Sequence, residues 1–402
     1  MAEAKEFEVI IYGASGFTGR LVAEFLHKQY GAGVKWAMAG RDRAKLESVR
    51  AEIGASAPIV IASASDPASL EAMARRAQVV ITTVGPYQLY GEPLVAACVK
   101  AGTDYVDLCG EPNWMAAMIA KYGDAAKTSG ARIVFSCGFD SIPFDLGVFF
   151  LEREAQARFG APCPRVKGRV RAMKGTFSGG TMASMLATME AVRRDPSLVA
   201  VLADPFALAP EKLAPQPDGE NVRHDDGVGW AAPFVMAAIN TKNVHRSNAL
   251  LNYPYGRDFA YDEMMLTGDG DGGEKRARKA AQQSATQNKL LGFGPTRAIL
   301  RSFVLPKPGE GPNKEQRENG MYDVLFVGET ADGRSLRASV KGDKDPGYGS
   351  TSKMISEAAL CLARDVPREE TAGGVWTAAA ALRGKLIDRL QAHAGLVFAL
   401  EN

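Results

Sequence analysis

With 402 residues, 46% of them apolar and 23% charged, the chain has the composition of a globular protein large enough for two domains. A formal charge of +2 gives no electrostatic case for nucleic acid or an anionic membrane as an obligatory partner. Five scattered cysteines without a C-x-x-C pair read as small buried hydrophobes in a reducing compartment, and four histidines without a Cys/His cluster argue against a metal centre.

The chain opens with MAEAKEFEV, too acidic and too short for a signal peptide, and no apolar run approaches the roughly 18 residues of a membrane span, so a cytoplasmic protein is expected. Val9, Ile10 and Ile11 form a continuous apolar run, the pattern of a strand covered on both faces. Gly13, Gly16 and Gly19 follow, then Leu21, Val22, Phe25 and Leu26 at helical spacing up to a cap at Gly31. A strand at Val34 to Ala39, a helix around Leu46, Val49 and Ile53, and a strand at Pro58 to Ala62 come next. Asp66 and Pro67 open a helix, Gln78 to Val84 is the fourth strand, and a Gly85-Pro86-Tyr87 loop leads to a helix from Glu92 to Ala101. Strands at Tyr105 to Leu108 and Arg132 to Ser136 flank a helix from Trp114 to Thr128. Six apolar strands alternating with helices predict an α/β fold with a doubly wound parallel sheet.

That alternation gives the glycines their meaning, because a glycine turn between the first strand and first helix is where a dinucleotide pyrophosphate meets helix amides. The end of the second strand reads Ala39-Gly40-Arg41, with Asp42 one step further on. An arginine there suits the 2′-phosphate of NADP(H).

After Cys137 comes GFDSIPFDLG, in which Asp140 and Asp145 suit either acid/base work or helix capping. Arg165 to Lys174 alternates basic and apolar residues, a strand with one wet face, and Ser178-Gly179-Gly180-Thr181 then starts a helix whose Met182, Met185 and Met189 are expected in the core. Pro205 to Gly229 reads as a surface loop and DGDGGE (269 to 274) as a flexible turn. A helical region over Lys275 to Phe303 is interrupted near Gly292 to Pro295, and Pro306 to Gly320 reads as another loop. Tyr322 to Val327 and Leu336 to Val340 form a hairpin around Asp332-Gly333. A helix at Thr351 to Leu362 and a final helix at Trp376 to Ala392 close the chain.

GASGFTGR (13 to 20), VGPYQLYGEPLVAAC (84 to 98), YVDLCGE (105 to 111), GFDSIPFDLG (138 to 147), SGGT (178 to 181), GDKDPGYGSTSKM (342 to 354) and GGVWTAAAAL (373 to 382) together resemble the saccharopine dehydrogenase-like oxidoreductases. Within that family the chain is similar to the branch holding the mycobacterial trans-acting enoyl reductases and the animal saccharopine dehydrogenase-like proteins of lipid droplets. The resemblance implies an NADP-binding Rossmann domain over residues 1–147, an inserted α+β substrate or dimerisation domain over 148–350, and C-terminal helices over 351–402 that return to the first domain. It assigns cofactor contacts to Gly13, Ala14, Ser15, Gly16, Phe17, Thr18, Gly19, Arg41, Asp66, Val84, Gly85, Pro86 and Tyr87.

The function these features imply is NADPH-dependent reduction of an enoyl or related unsaturated group on a lipid-type substrate, with homodimerisation and peripheral attachment to a lipid surface as further expectations. Tyr87, Asp140 and Tyr348, in that order, are the candidate proton donors, and the Ser178 to Thr181 backbone is a candidate carbonyl cradle. The sequence argues against a conventional short-chain dehydrogenase, because none of the eleven tyrosines has Lys at the fourth following position. Two alternatives stand beside enoyl reduction. One is an imine-reducing enzyme that binds an amino-acid carboxylate through Arg169, Arg171 and Lys174. The other is a cofactor-binding protein without turnover that docks through an exposed Phe144 to Leu151.

Overall fold

The computed structural model describes residues 5–175, 179–292 and 311–401. The apolar runs of the first part become strands β1 (Phe7–Tyr12), β2 (Trp36–Gly40), β3 (Ile59–Ile61), β4 (Ala77–Thr82), β5 (Asp104–Val106) and β6 (Arg132–Val134). Between and after them lie α1 (Phe17–Tyr30), α2 (Arg43–Glu52), α3 (Pro67–Arg76), α4 (Tyr87–Tyr90), α5 (Glu92–Ala101), α6 (Pro112–Ser129) and α7 (Ile142–Phe159). All the strand pairs of this sheet are parallel, in the order β13-β6-β5-β4-β1-β2-β3. The seventh strand, β13 (Gly374–Trp376), arrives from the far end of the sequence. Because β1 pairs with β2 on one side and β4 on the other, the chain reverses direction across the sheet at β1, and a crevice opens beyond the carboxyl ends of β1 and β4.

The second sheet contains β7 (Arg165–Lys174), β8 (Arg223–Asp225), β9 (Gly229–Pro233), β10 (Ala260–Gly268), β11 (Met321–Glu329), β12 (Ser335–Gly342) and β14 (Leu396–Glu401), ordered β14-β12-β11-β7-β10-β9-β8. Only β7 and β10 run parallel in it. Its helices are α8 (Gly179–Arg194), α9 (Leu198–Ala203), α10 (Ala237–Leu250) and α11 (Gly270–Gly292). Helix α7 lies against β11 so closely that a Cβ on Gly147 would sit 2.3 Å from the Phe326 ring. One apolar core runs from Val9 and Ile11 through Phe144 and Leu151 to Phe326, Met354 and Leu382, so both sheets are packed through α7 and the helices Thr351–Arg364 and Ala378–Arg389.

Several expectations change. The chain does not close on a helix: Gly395, at φ 75, ends the helical run and Leu396–Glu401 joins β12 in antiparallel register. DGDGGE is no flexible turn but opens α11, with Asp271 in its first turn and Gly273 where a side chain would meet Gly268 O at 2.1 Å. Within the predicted loop 205–229, β8 forms and Phe206 and Leu208 are buried. The predicted loop 306–320 contains the short helix Lys314–Glu318, started by a capping box between Asn313 and Gln316, whereas residues 293–310 lie outside the described ones. Met182, Met185 and Met189 are half-buried and do not form core. Phe144 to Leu151 is buried apart from a half-buried Phe149, so it offers no exposed contact face. All five cysteines are buried and free.

Candidate active site

The glycine turn follows from contacts that only hydrogen can satisfy. Gly13 takes φ 90, and its amide donates to Ala39 O at 2.9 Å, which ties the end of β1 to β2. A Cβ on Gly19 would lie 2.1 Å from Gly13 O, so the start of α1 presses directly on the strand end. The first backbone bond into the helix runs from Arg20 N to Gly16 O, which leaves the amides of Phe17, Thr18 and Gly19 at the helix N-terminus outside the α-helical ladder. This is a cradle of the shape and donor set that a dinucleotide pyrophosphate needs. Its opposite wall is Thr83 and Val84, whose side chains lie 2.9 and 2.7 Å from where a Gly13 Cβ would be. At the end of β2, Asp42 caps α2 by accepting from Lys45 N at 3.1 Å. Arg41 stays exposed and makes no ion pair among the described residues. Asp66 caps α3, accepting from Ser69 N at 3.3 Å.

The loop after β4 is fixed by a carboxylate. Glu111, fully buried, accepts from Tyr87 N at 2.9 Å, Gln88 N at 2.8 Å and Ser184 Oγ at 2.6 Å. It satisfies the first amides of α4 and ties α8 across the Gly85 loop. Tyr87 itself is 4% exposed, donates its hydroxyl to Thr82 O at 3.2 Å and accepts from Leu108 N at 3.1 Å. Burial pushes its phenol well above the usual range. A hydroxyl held this way braces the ends of β4 and β5.

Asp140 stands differently. The turn after β6 is built around Ser136, a non-glycine residue at φ 60 whose Oγ donates to Cys109 O at 2.6 Å and whose amide donates to Asp107. Phe139 N donates to Thr351 Oγ1, and Ser141 N closes the turn on Ser136 O at 3.1 Å. Asp140 sits at the tip, half-buried, with no hydrogen bond or ion pair among the described residues. Removal from water lifts its carboxyl to about 7. Asp145, its sequence partner, is committed elsewhere: it accepts from Ser247 Oγ at 2.5 Å and from Ala379 N at 2.9 Å, anchoring the start of the helix Ala378–Arg389.

Two asparagines on α10 flank the Asp140 turn. Asn243 donates to Ser141 Oγ at 2.8 Å, and one turn earlier Asn240 donates to Glu263 Oε2 at 2.8 Å. Glu263 lies fully buried on β10, also accepts from Tyr261 at 2.9 Å, and feels the charge of Asp140. Sequence reasoning had no handle on Glu111, Asn240, Asn243 or Glu263. The one usable signal was YVDLCGE, which contains Glu111 without revealing its partners.

Tyr348 is buried against the glycine turn, edge-on to Phe17 with ring centroids 4.7 Å apart, and its hydroxyl accepts from Gly179 N at 3.1 Å. It thus joins the turn to the start of α8, and Gly179, from the expected cradle, is already engaged; Ser178 lies outside the described residues. From there α8 crosses to Glu111 and to Gln88, whose side chain donates to Thr188 at 3.1 Å. Arg169 is spent on Asp225 and Asp262, and Arg171 on Asp323 and Glu401. Among the described residues no cluster of His, Cys, Asp and Glu is arranged to hold a metal ion, and no helix is long and apolar enough to cross a membrane.

A parallel sheet with a glycine cradle at its reversal point, and a titratable carboxyl at the same edge, defines a nicotinamide-dependent oxidoreductase. The sequence model of the saccharopine dehydrogenase NADP binding domain matches residues 9–134. A trans-acting enoyl reductase of Mycobacterium ulcerans is 39% identical over 409 residues, covering 96% of this chain and 96% of that protein. One of Mycobacterium bovis is 39% identical over 407 residues, with the same coverage of both chains. The chain belongs to the saccharopine dehydrogenase-like oxidoreductases, and its cofactor is NADP(H). Apo saccharopine dehydrogenase (L-Glu forming) from Saccharomyces cerevisiae shares the fold, with a TM-score of 0.58 and 11% identity over 98% of this chain and 99% of that one.

Proposed function

We propose that this protein reduces the carbon–carbon double bond of an enoyl group on a lipid-type acyl substrate, with Asp140 as the proton donor. The observation that carries the reading is Asp140 itself: a carboxyl without a partner among the described residues, lifted by burial to about 7, at the edge of the sheet where the glycine cradle lies. The amides of Phe17, Thr18 and Gly19 hold the pyrophosphate, with Gly13, Ala14, Ser15 and Gly16 shaping the turn and Val84, Gly85 and Pro86 walling the nicotinamide side. Arg41 pairs with the 2′-phosphate, because Asp42 is occupied as a cap. NADPH, when bound, supplies a hydride to the carbon β to the substrate carbonyl. Asp140 Oδ then gives its proton to the α carbon and is recharged from solvent, so two electrons and two hydrogens cross the double bond.

Tyr348 and Glu111 position the first half of α8, and its half-buried Met182, Met185 and Met189 suit a flexible acyl chain. Imine reduction is the weaker reading, since Arg169 and Arg171 are consumed by internal carboxylates and have no charge to offer an amino acid. The test is reduction of a series of 2-enoyl thioesters by NADPH deuterated at the transferable position. Label at the β carbon is expected; turnover of only a 2-oxo acid plus amine mixture would overturn the reading.

A further inference from the structure

We infer that α8 is a strap across the mouth of the cofactor crevice, one that lifts to let NADP(H) enter or leave. The inference rests on the cofactor placement proposed above and is independent of the enoyl chemistry. Both banks of the crevice hold the helix. On the α1 side, Gly179 N donates at 3.1 Å to the hydroxyl of Tyr348, whose ring lies edge-on to Phe17, the first residue of α1, with centroids 4.7 Å apart. On the β4 side, Ser184 Oγ donates to Glu111 at 2.6 Å, and Gln88 Nε2 donates to Thr188 Oγ1 at 3.1 Å. A Cβ on Gly85 would lie 3.9 Å from Ser184 Oγ, so the helix passes directly over the Gly85 loop. Along the helix axis Ser184 and Thr188 stand about 7 and 13 Å from Gly179, so one short helix is pinned on both sides of the crevice.

Little apolar packing fixes it there. Gly179 is the one buried residue of α8, and no α8 residue belongs to either apolar core. The neighbouring α5 and α6 bury five residues each. Lifting α8 therefore exchanges a few hydrogen bonds for water and uncovers little dry apolar surface. Its flanks stay in place: β7 pairs with β10 and β11, and Leu202 O on α9 accepts from the buried Lys242 at 2.8 Å. Glu111 holds Tyr87 N and Gln88 N whether or not Ser184 is bound to it, so the Gly85 loop keeps its shape when the strap opens.

The experiment is stopped-flow fluorescence of NADPH association and dissociation in wild type, in the double variant Ser184→Ala, Thr188→Val, and in Tyr348→Phe. A strap raises a barrier that entry and exit share, so unfastening it should speed both rates together and leave Kd within about threefold of wild type. Both should rise by about tenfold in the double variant, which loses a bond to a charged acceptor and a neutral bond, and by about threefold in Tyr348→Phe, which keeps its ring on Phe17. Tyr348→Phe carries the test alone should the double variant fail to fold. Faster dissociation at an unchanged association rate, with Kd weakened in proportion, would make α8 a fixed wall of the site and overturn the inference; rates equal to wild type would overturn it too. NADPH affinity indifferent to Gly19→Ala would overturn the parent placement instead, a result that the strap variants do not mimic.

Discussion

Gly19→Ala is the sharpest probe of the cofactor cradle. The added methyl would lie 2.1 Å from Gly13 O, 2.7 Å from Gly13 C and 2.9 Å from Ala14 Cα, all backbone atoms that no side-chain rotation can clear. To reach ordinary contact, about 3.4 Å or more, α1 must back away from the strand end by more than about 1 Å. Overpacking of this kind costs about 1–3 kcal/mol of stability. The displaced amides of Phe17 and Thr18 also lose their aim at the pyrophosphate, and two charge-assisted hydrogen bonds at about 1.5–3 kcal/mol each amount to a loss of at least about a hundredfold in NADPH affinity. Fluorescence titration with NADPH, beside a thermal melt, measures both. Gly123→Ala is the control: Gly123 lies inside α6 with nothing within 4 Å of the position its Cβ would take. The same substitution there should stabilise by about 1 kcal/mol and leave NADPH binding alone. Gly19→Ala binding NADPH within about threefold of wild type would refute the cradle.

Arg41→Ala should weaken NADPH binding by about 10- to 100-fold and leave NADH unchanged, since only the 2′-phosphate loses a partner; equal loss for both cofactors would contradict the assignment. Glu111→Gln puts an amide N–H2 either against Gln88 N or against Tyr87 N and Ser184 Oγ, and should cost about 1–3 kcal/mol in urea unfolding, with a fall in kcat as the Gly85 loop and α8 loosen; an unchanged urea midpoint would show that the carboxylate is dispensable. Asp107 and Asp145 are lifted to about 7 by burial, so each binds its proton more tightly folded than unfolded. Their contribution is full below the unfolded carboxyl pKa and is lost as pH rises through about 7. His245, lowered to about 3 by burial, works in the opposite sense, but only below its ordinary titration near pH 6.5. The melting temperature should therefore fall between pH 6 and pH 8, and a rise over that interval would contradict the buried carboxyls.

The first sheet was legible because its strands are continuous apolar runs and its turn glycines sit at fixed spacing, so Val9–Ile11, Gly13, Gly16 and Gly19 carry fold and cofactor together. Strand β7 and the β11–β12 hairpin were readable for a similar reason, a clear alternation or a clear turn. Strand β13 was not, since Gly374–Trp376 is only three residues and its pairing with β6 is a matter of tertiary approach. Helix α10 defeats hydrophobic periodicity altogether: its buried residues include Asn240, Lys242, Asn243, His245, Arg246, Ser247 and Asn248, whose partners lie elsewhere in the chain. Lys242 donates to Leu202 O, and Arg246 to Leu208 O and Val375 O. A buried face made of hydrogen bonds has no apolar period, and this is the face that holds Glu263 and Ser141. Tyr87 is the converse case. Its position at the sheet edge is visible in the sequence, whereas the inward turn of its hydroxyl toward Thr82 O is not.

The central claim is tested most directly by deuterium transfer from labelled NADPH to a 2-enoyl thioester, comparing wild type with Asp140→Asn. The account predicts label at the β carbon for wild type, and a rate lower by about 10²- to 10⁴-fold for the variant at unchanged NADPH affinity. Transfer by Asp140→Asn at the wild-type rate would contradict it.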